Sequence, residues 1–317
     1  MSEQNSNWER SVLEKLAYSA LQEQRRSRRW GIFFKTLTLG YFFLVLFLIM
    51  GWIGHGDAGL VTGKHTALVE LEGVIAANSQ ASSDNLIASL QAAFKDKGTQ
   101  GVILRVNSPG GSPVQAGLVN DEIRRLRSIY PKIPLYVVVQ DICASGGYYI
   151  AAAADKIYVN KASIVGSIGV LMDGFGFTGT MEKLGVERRL LTAGENKGFM
   201  DPFSPRNPKH EAFTKLMLEE IHQQFISVVK QGRGKRLKDS PEMFSGLFWS
   251  GQKSIEMGLA DDIGSMESVA RDVIKAENIV DFTTHEGFAD RLAKRFGAGV
   301  ASALPPFSSQ SGGMTLR

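Results

Sequence analysis

With 317 residues, 44% of them hydrophobic and 21% charged, the chain has the composition of an ordinary globular protein with ample material for a core. Its net charge of +4 is too small to point to nucleic acid as a partner. The single cysteine, Cys143, excludes an intrachain disulfide.

Trp8, Val12, Leu16 and Ala20 recur at helical spacing and read either as a short amphipathic helix against the inner leaflet or as a solvated fragment. Arg25, Arg26, Arg28 and Arg29 then precede a run from Thr36 to Ile53 that carries no charge. Such a run crosses the roughly 30 Å hydrocarbon core of a bilayer as one helix, with Lys35 at its edge snorkelling to the headgroups. The predicted span is 31–54. A cleavable signal peptide fits less well, because a long polar stretch comes first, the run is too long, and no A-x-A site follows directly. By the positive-inside rule the arginines hold residues 1–30 in the cytoplasm and send the remainder outside. In a bacterium this describes a single-pass inner-membrane protein whose main domain is periplasmic or extracytoplasmic.

Residues 55–65 are rich in glycine and read as a linker, and residues 304–317, rich in Ser, Gly and Pro, as a disordered tail. Between them, 66–303 reads as one exported domain. Its first elements are a strand at 66–73, a helix at 83–96, a strand at 101–107, a helix at 113–129, a strand at 134–140, a helix at 145–154 and a strand at 155–160. This alternation predicts an α/β fold with right-handed crossovers and a parallel sheet covered on its faces. Sites in such sheets form at the carboxyl ends of the strands. Two loops fit that position, "NSPGGS" at 107–112 and "DICASGG" at 141–147, and their paired glycines let backbone N–H groups face a ligand.

Ser145 in the second loop reads either as a helix cap or as a nucleophile on a tight turn. A nucleophilic hydroxyl needs a base. His55 and His65 fall near the linker, His210 and His222 on an amphipathic helix over 209–231 whose apolar stripe is Phe213, Leu216, Met217, Phe225 and Val229, and His285 in a late polar segment. None is well placed for a Ser-His-Asp triad, and no H-E-x-x-H metal motif occurs. Lys197 in "LLTAGENKG" follows an expected strand and is either a solvated loop charge or a base whose pKa burial lowers. Lys161 and Lys183 are weaker alternatives. Cys143 lacks a histidine partner to form a thiolate and reads as a small buried filler.

Together "RVNSPGGS", "ASGGYYIAAAAD", "IVGSIGV", "LTAGENKG" and "FWSGQKSIEMGLADDIG" resemble, in order, the signal peptide peptidase A (SppA) family in its short, single-repeat form, across about residues 66–265. The resemblance implies a Clp/crotonase-like fold and a membrane-anchored serine endopeptidase with a Ser-Lys dyad and no cofactor or metal. It implies Ser145 as nucleophile, Lys197 as general base, Ser167 as the residue that orients the lysine, and Gly110 and Gly111 as the oxyanion hole. It also implies cleaved signal peptides and other hydrophobic peptides as substrates at the bilayer surface, and a ring-like homo-oligomer whose neighbouring protomers can share a site. The sequence departs from the family where "TAGENK" replaces the frequent S-G-x-Y-K, and nearby Glu195 and Asp201 would favour a charged lysine. The same fold hosts acyl-CoA chemistry, which export disfavours, and an inactive peptide-binding scaffold remains an alternative.

Overall fold

The computed structural model describes residues 3–54, 63–238 and 240–284. The expected tail, most of the linker and the end of the expected domain lie outside these residues. The chain divides into two compact units, residues 1–60 and 61–317.

The first unit is one helix, α1 (Glu3–Gly54). The expected amphipathic helix and the expected span are therefore parts of one continuous element. Within it, Gln22–Phe47 is long and apolar enough to cross a membrane. The hydroxyls in this stretch are satisfied locally: Thr36 Oγ1 donates to Phe33 O at 2.9 Å, and Thr38 Oγ1 donates to Phe34 O at 2.8 Å. Internal satisfaction of this kind is what an apolar surrounding demands. Trp30 stacks on Phe34 with ring centroids 5.7 Å apart.

In the second unit the chain runs β1 (His65–Glu72), α2 (Ser83–Lys95), β2 (Thr99–Ser108), α3 (Pro113–Ile129), β3 (Leu135–Ala144), α4 (Gly146–Ala151), β4 (Lys156–Val159), β5 (Ile164–Gly166) and α5 (Thr178–Lys183). It continues as α6 (Pro208–Arg233), β6 (Phe248–Ser250), α7 (Gly251–Glu256), β7 (Asp262–Ile263), the helical turn α8 (Met266–Ser268) leading into a π-helical turn (Val269–Ile274), and β8 (Ile279–Asp281). The main sheet has the order β6-β5-β3-β2-β1-β8, with β4 and β7 branching from β3. All pairings are parallel except β5 with β6.

Parallel strands covered on both faces are buried almost throughout, and β1 and β2 follow that rule. On one face Val69, Leu104 and Val137 pack with Leu90 of α2 and Ile123 of α3. On the other, Leu68, Ile103 and Val138 meet Val269 and Ala270. The helices begin where the sequence supplies caps: Ser82 Oγ accepts from Asn85 N, and Ser112 Oγ accepts from Gln115 N with Pro113 in the first turn.

On one edge of β3, residues 136–138 pair with β4 and residues 142–144 pair with β5. The sheet forks there, and β3 carries on past the expected end at residue 140. The expected helix 145–154 ends at Ala151, and Ala152 is pressed against α6: a Cβ on Gly232 would lie 1.9 Å from Ala152 O. The apolar stripe of α6 divides in two. Phe225 and Val229 are buried, whereas Phe213, met edge-on by the Phe199 ring, and Leu216 are 61% and 72% exposed. His65 is not a linker residue. It opens β1, is buried, stacks on Phe282, and its Nε2 lies 3.3 Å from Thr99 Oγ1.

One ionic cluster ties the end of α6 to the branch strands. Arg233, 1% exposed, donates from Nε to Gly258 O at 2.9 Å and from a terminal nitrogen to Asp261 Oδ2 at 2.8 Å. Asp261 also accepts from Ile157 N at 2.7 Å, and Arg236 approaches its other oxygen at 3.4 Å.

Candidate active site

The loop after β2 and the turn after β3 meet at the carboxyl ends of their strands. A Cβ added to Gly110 would lie 2.7 Å from both Ser145 Cβ and Gly146 N, so this approach requires glycine at 110, which has φ +101°. Gly111 is crossed by Ile75: Ile75 N donates to Gly110 O, and Ser112 N donates to Ile75 O. A Cβ on Gly111 would fall 2.1 Å from Ile75 O.

Ser145 occupies the N-cap position of α4, yet its side chain makes no capping hydrogen bond. Its backbone is at φ +51°, ψ −123°, and its N–H donates to Gly166 O at 2.9 Å. Ser167, one residue beyond β5, also has φ +51° and donates its N–H to Leu247 O at 2.8 Å. His222 Nε2 lies 3.1 Å from Ile168 O and holds the same loop from α6.

The N–H groups around Ser145 are not equivalent. Gly110 N donates to Ser108 Oγ at 3.1 Å, so it is engaged within the loop. Among the described residues, Gly111 N and Gly146 N have no protein acceptor, and they lie together: a Cβ on Gly146 would be 3.3 Å from Gly111 N. Of the expected pair, Gly110 and Gly111, the Gly110 N–H is thus engaged by Ser108, whereas Gly111 N and, beside it, Gly146 N lack an acceptor among the described residues.

Ser145, Ser167 and Gly111 line one groove of about 960 Å³ between α3, α6 and the loops. Its walls are largely apolar, with Val114, Leu118, Val170, Leu171, Ile221 and Phe225. The helical walls went unrecognised in the sequence, although Pro113, Gly117 and Asp121 at i, i+4 and i+8 mark one face of α3.

The structure does not bring Lys197 to this groove. Lys197 is exposed and lies in a run of turns, and the strand expected before it is absent. Asp201, suspected as its counter-charge, instead accepts from Ser204 Oγ at 2.6 Å and faces Arg188 Nε at 3.4 Å. The hydrogen bond from Ser204 and then the donors Phe203 N and Arg188 hold the Asp201 carboxyl below its ordinary value, against a smaller opposing effect of desolvation. The surrounding segment leaves Leu171, Phe175, Leu184 and Leu191 exposed, Leu191 at 97%.

Cys143 is fully buried in β3, and burial pushes its thiol pKa far up. A neutral, inaccessible thiol is a poor nucleophile. Cys143→Ala is therefore expected to leave any hydrolysis unchanged, and native protein should resist iodoacetamide; inactivation by iodoacetamide that Cys143→Ala prevents would reassign the nucleophile. Among the described residues, no group of His, Cys, Asp or Glu side chains is arranged to hold a metal ion.

Residues 129–280 match the model of peptidase family S49. A protein of Enterococcus faecium designated a signal peptide peptidase SppA is 30% identical over 233 residues, 71% of this chain and 67% of that protein. Protease 4 of Haemophilus influenzae is 31% identical over 219 residues, 68% of this chain and 35% of that protein. The Na(+)/H(+) antiporter NhaA of Brucella abortus is 46% identical over 182 residues, 57% of this chain, which spans only 25% of that protein. The sheet with helices on its faces agrees with the Clp/crotonase-like α/β architecture that the motifs implied. The motifs, the fold and the matched relatives together place the chain in peptidase family S49, the signal peptide peptidase A family.

Proposed function

We propose that the protein is a serine endopeptidase that cleaves hydrophobic peptides, cleaved signal peptides among them, beside the membrane in which α1 anchors it. The observation that carries this reading is the placement of Ser145. An uncapped serine lines an apolar groove, beside two backbone N–H groups that no atom of the described residues accepts from.

In this mechanism Ser145 Oγ attacks the peptide carbonyl while neutral Lys197 accepts its proton. Gly111 N–H and Gly146 N–H stabilise the oxyanion, where one donor contributes about 2.7–4 kcal/mol to transition-state stabilisation. The lysine returns the proton to the leaving amine, and a water deprotonated by the same lysine then hydrolyses the acyl-enzyme. Ser167 orients the lysine. Because Lys197 stands away from the groove of its own chain, we assign the base of each site to the Lys197 of a neighbouring copy in a ring-like homo-oligomer. The exposed leucines and phenylalanines of the 171–191 segment supply apolar surface for that contact. The four arginines at 25–29 orient α1 with its N-terminus in the cytoplasm and the peptidase unit outside.

A fluorophosphonate probe tests the reading. Labelling at Ser145 that vanishes in Ser145→Ala is expected. Absence of labelling at alkaline pH in the assembled protein would favour a peptide-binding scaffold without catalysis.

A further inference from the structure

Of the described residues that line the Ser145 groove, Asp121 alone carries a formal charge. It lies on the same face of α3 as Pro113 and Gly117, eight residues beyond Pro113. At 1.5 Å rise per residue this is about 12 Å along the helix. An extended peptide covers that distance in about three or four residues.

Among the described residues, no hydrogen bond or ion pair joins the Asp121 carboxylate to either neighbouring arginine. Arg124 donates from Nε to Asn120 Oδ1 at 2.8 Å and turns its terminal nitrogen to Gln231. Arg125 forms a two-pronged pair with Glu122 at 2.7 Å. Asp121 itself is exposed, and its charge reaches the groove wall: burial first, and then Asp121, raise the pKa of the Tyr149 phenol, and the Arg124 charge opposes them by less than Asp121 adds. Tyr149 and Gln224 line the groove alongside it, so the apolar channel has one polar, negatively charged station.

We propose that Asp121 is a specificity-determining residue that makes the groove prefer apolar peptides carrying a cationic side chain, lysine or arginine, three or four residues from the bond cleaved. This rests on the peptidase reading of the groove. An exposed ion pair of this kind is worth a few-fold in either direction, so a cation should be favoured over an anion at that position by about tenfold in kcat/KM. Screening by salt should shrink the preference.

The test uses the full-length protein in a nonionic detergent at low ionic strength. Quenched fluorescent peptides share one apolar sequence, are acetylated and amidated at their ends, and carry Lys, Gln or Glu three or four residues to either side of the scissile bond. The expected order is Lys above Gln above Glu at one of these positions, narrowing in 0.5 M NaCl, a concentration chosen to shorten the Debye length to about 4 Å. Asp121→Asn should bring the Lys-to-Glu ratio near one, and Asp121→Lys should invert it. A wild-type ratio near one at every position, or a ratio that persists in Asp121→Lys, overturns the proposal. If no peptide is cleaved, the peptidase reading fails. Fluorescence anisotropy of the same peptides on the same protein then decides the role of Asp121, with equal affinities for the Lys and Glu peptides counting against it.

Discussion

Co-assembled Ser145→Ala and Lys197→Ala chains in equal amounts are expected to recover about a quarter of wild-type peptidase activity, while each variant alone loses about 10⁴-fold or more. The fraction follows from a site divided between neighbours in a closed ring. A working site then needs an intact serine from one protomer and an intact lysine from the next, each present with probability one half. The prediction rests on two placements: Ser145 within the groove, and Lys197 exposed and outside it. Native mass spectrometry of differently tagged chains would verify mixing. Mixed rings with no recovered activity would assign both residues to one chain.

Asp261→Ala is expected to destabilise the second unit by about 3–5 kcal/mol, because it strands the buried Arg233 guanidinium. It also removes the acceptor for Ile157 N–H. For a domain of this size the melting temperature should fall by about 10 °C, read by near-ultraviolet circular dichroism. The pH dependence has a definite sign. Burial raises the Asp261 pKa, but the hydrogen bond and charge of Arg233, the Ile157 N–H and Arg236 outweigh it, so the folded-state value is lowered. A lowered carboxyl pKa stabilises the fold above the unfolded value of about 3.9 and loses that contribution as pH falls through the folded value. Asp261→Asn should accordingly flatten the stability profile below about pH 4. A melting temperature of Asp261→Ala equal to that of wild type would show that the cluster contributes nothing.

The sheet was readable because parallel strands buried on both faces are written as short apolar runs, such as "GVILRV" and "LYVVV". The meeting of the 107–112 and 141–147 loops followed from the rule that sites gather at strand carboxyl ends. Three matters depended on interactions that periodicity does not encode. The Gly110 N–H was diverted by a side chain two residues earlier, Ser108. The apolar stripe of α6 shows which face is greasy but not how much of the helix the domain covers, and Phe213 and Leu216 stay exposed. The extended run before Lys197 has strand-like composition, but a strand requires a partner, and among the described residues none pairs with it.

Ser145 and Ser167 share a φ of +51°, which a Cβ disfavours at a cost of about 1–3 kcal/mol each. Glycine would be the lower-energy occupant of both positions. The fold thus holds two hydroxyls where stability alone would discard them. A variant library sorted only for thermal resistance should drift toward glycine at these two positions and lose its chemistry as it does.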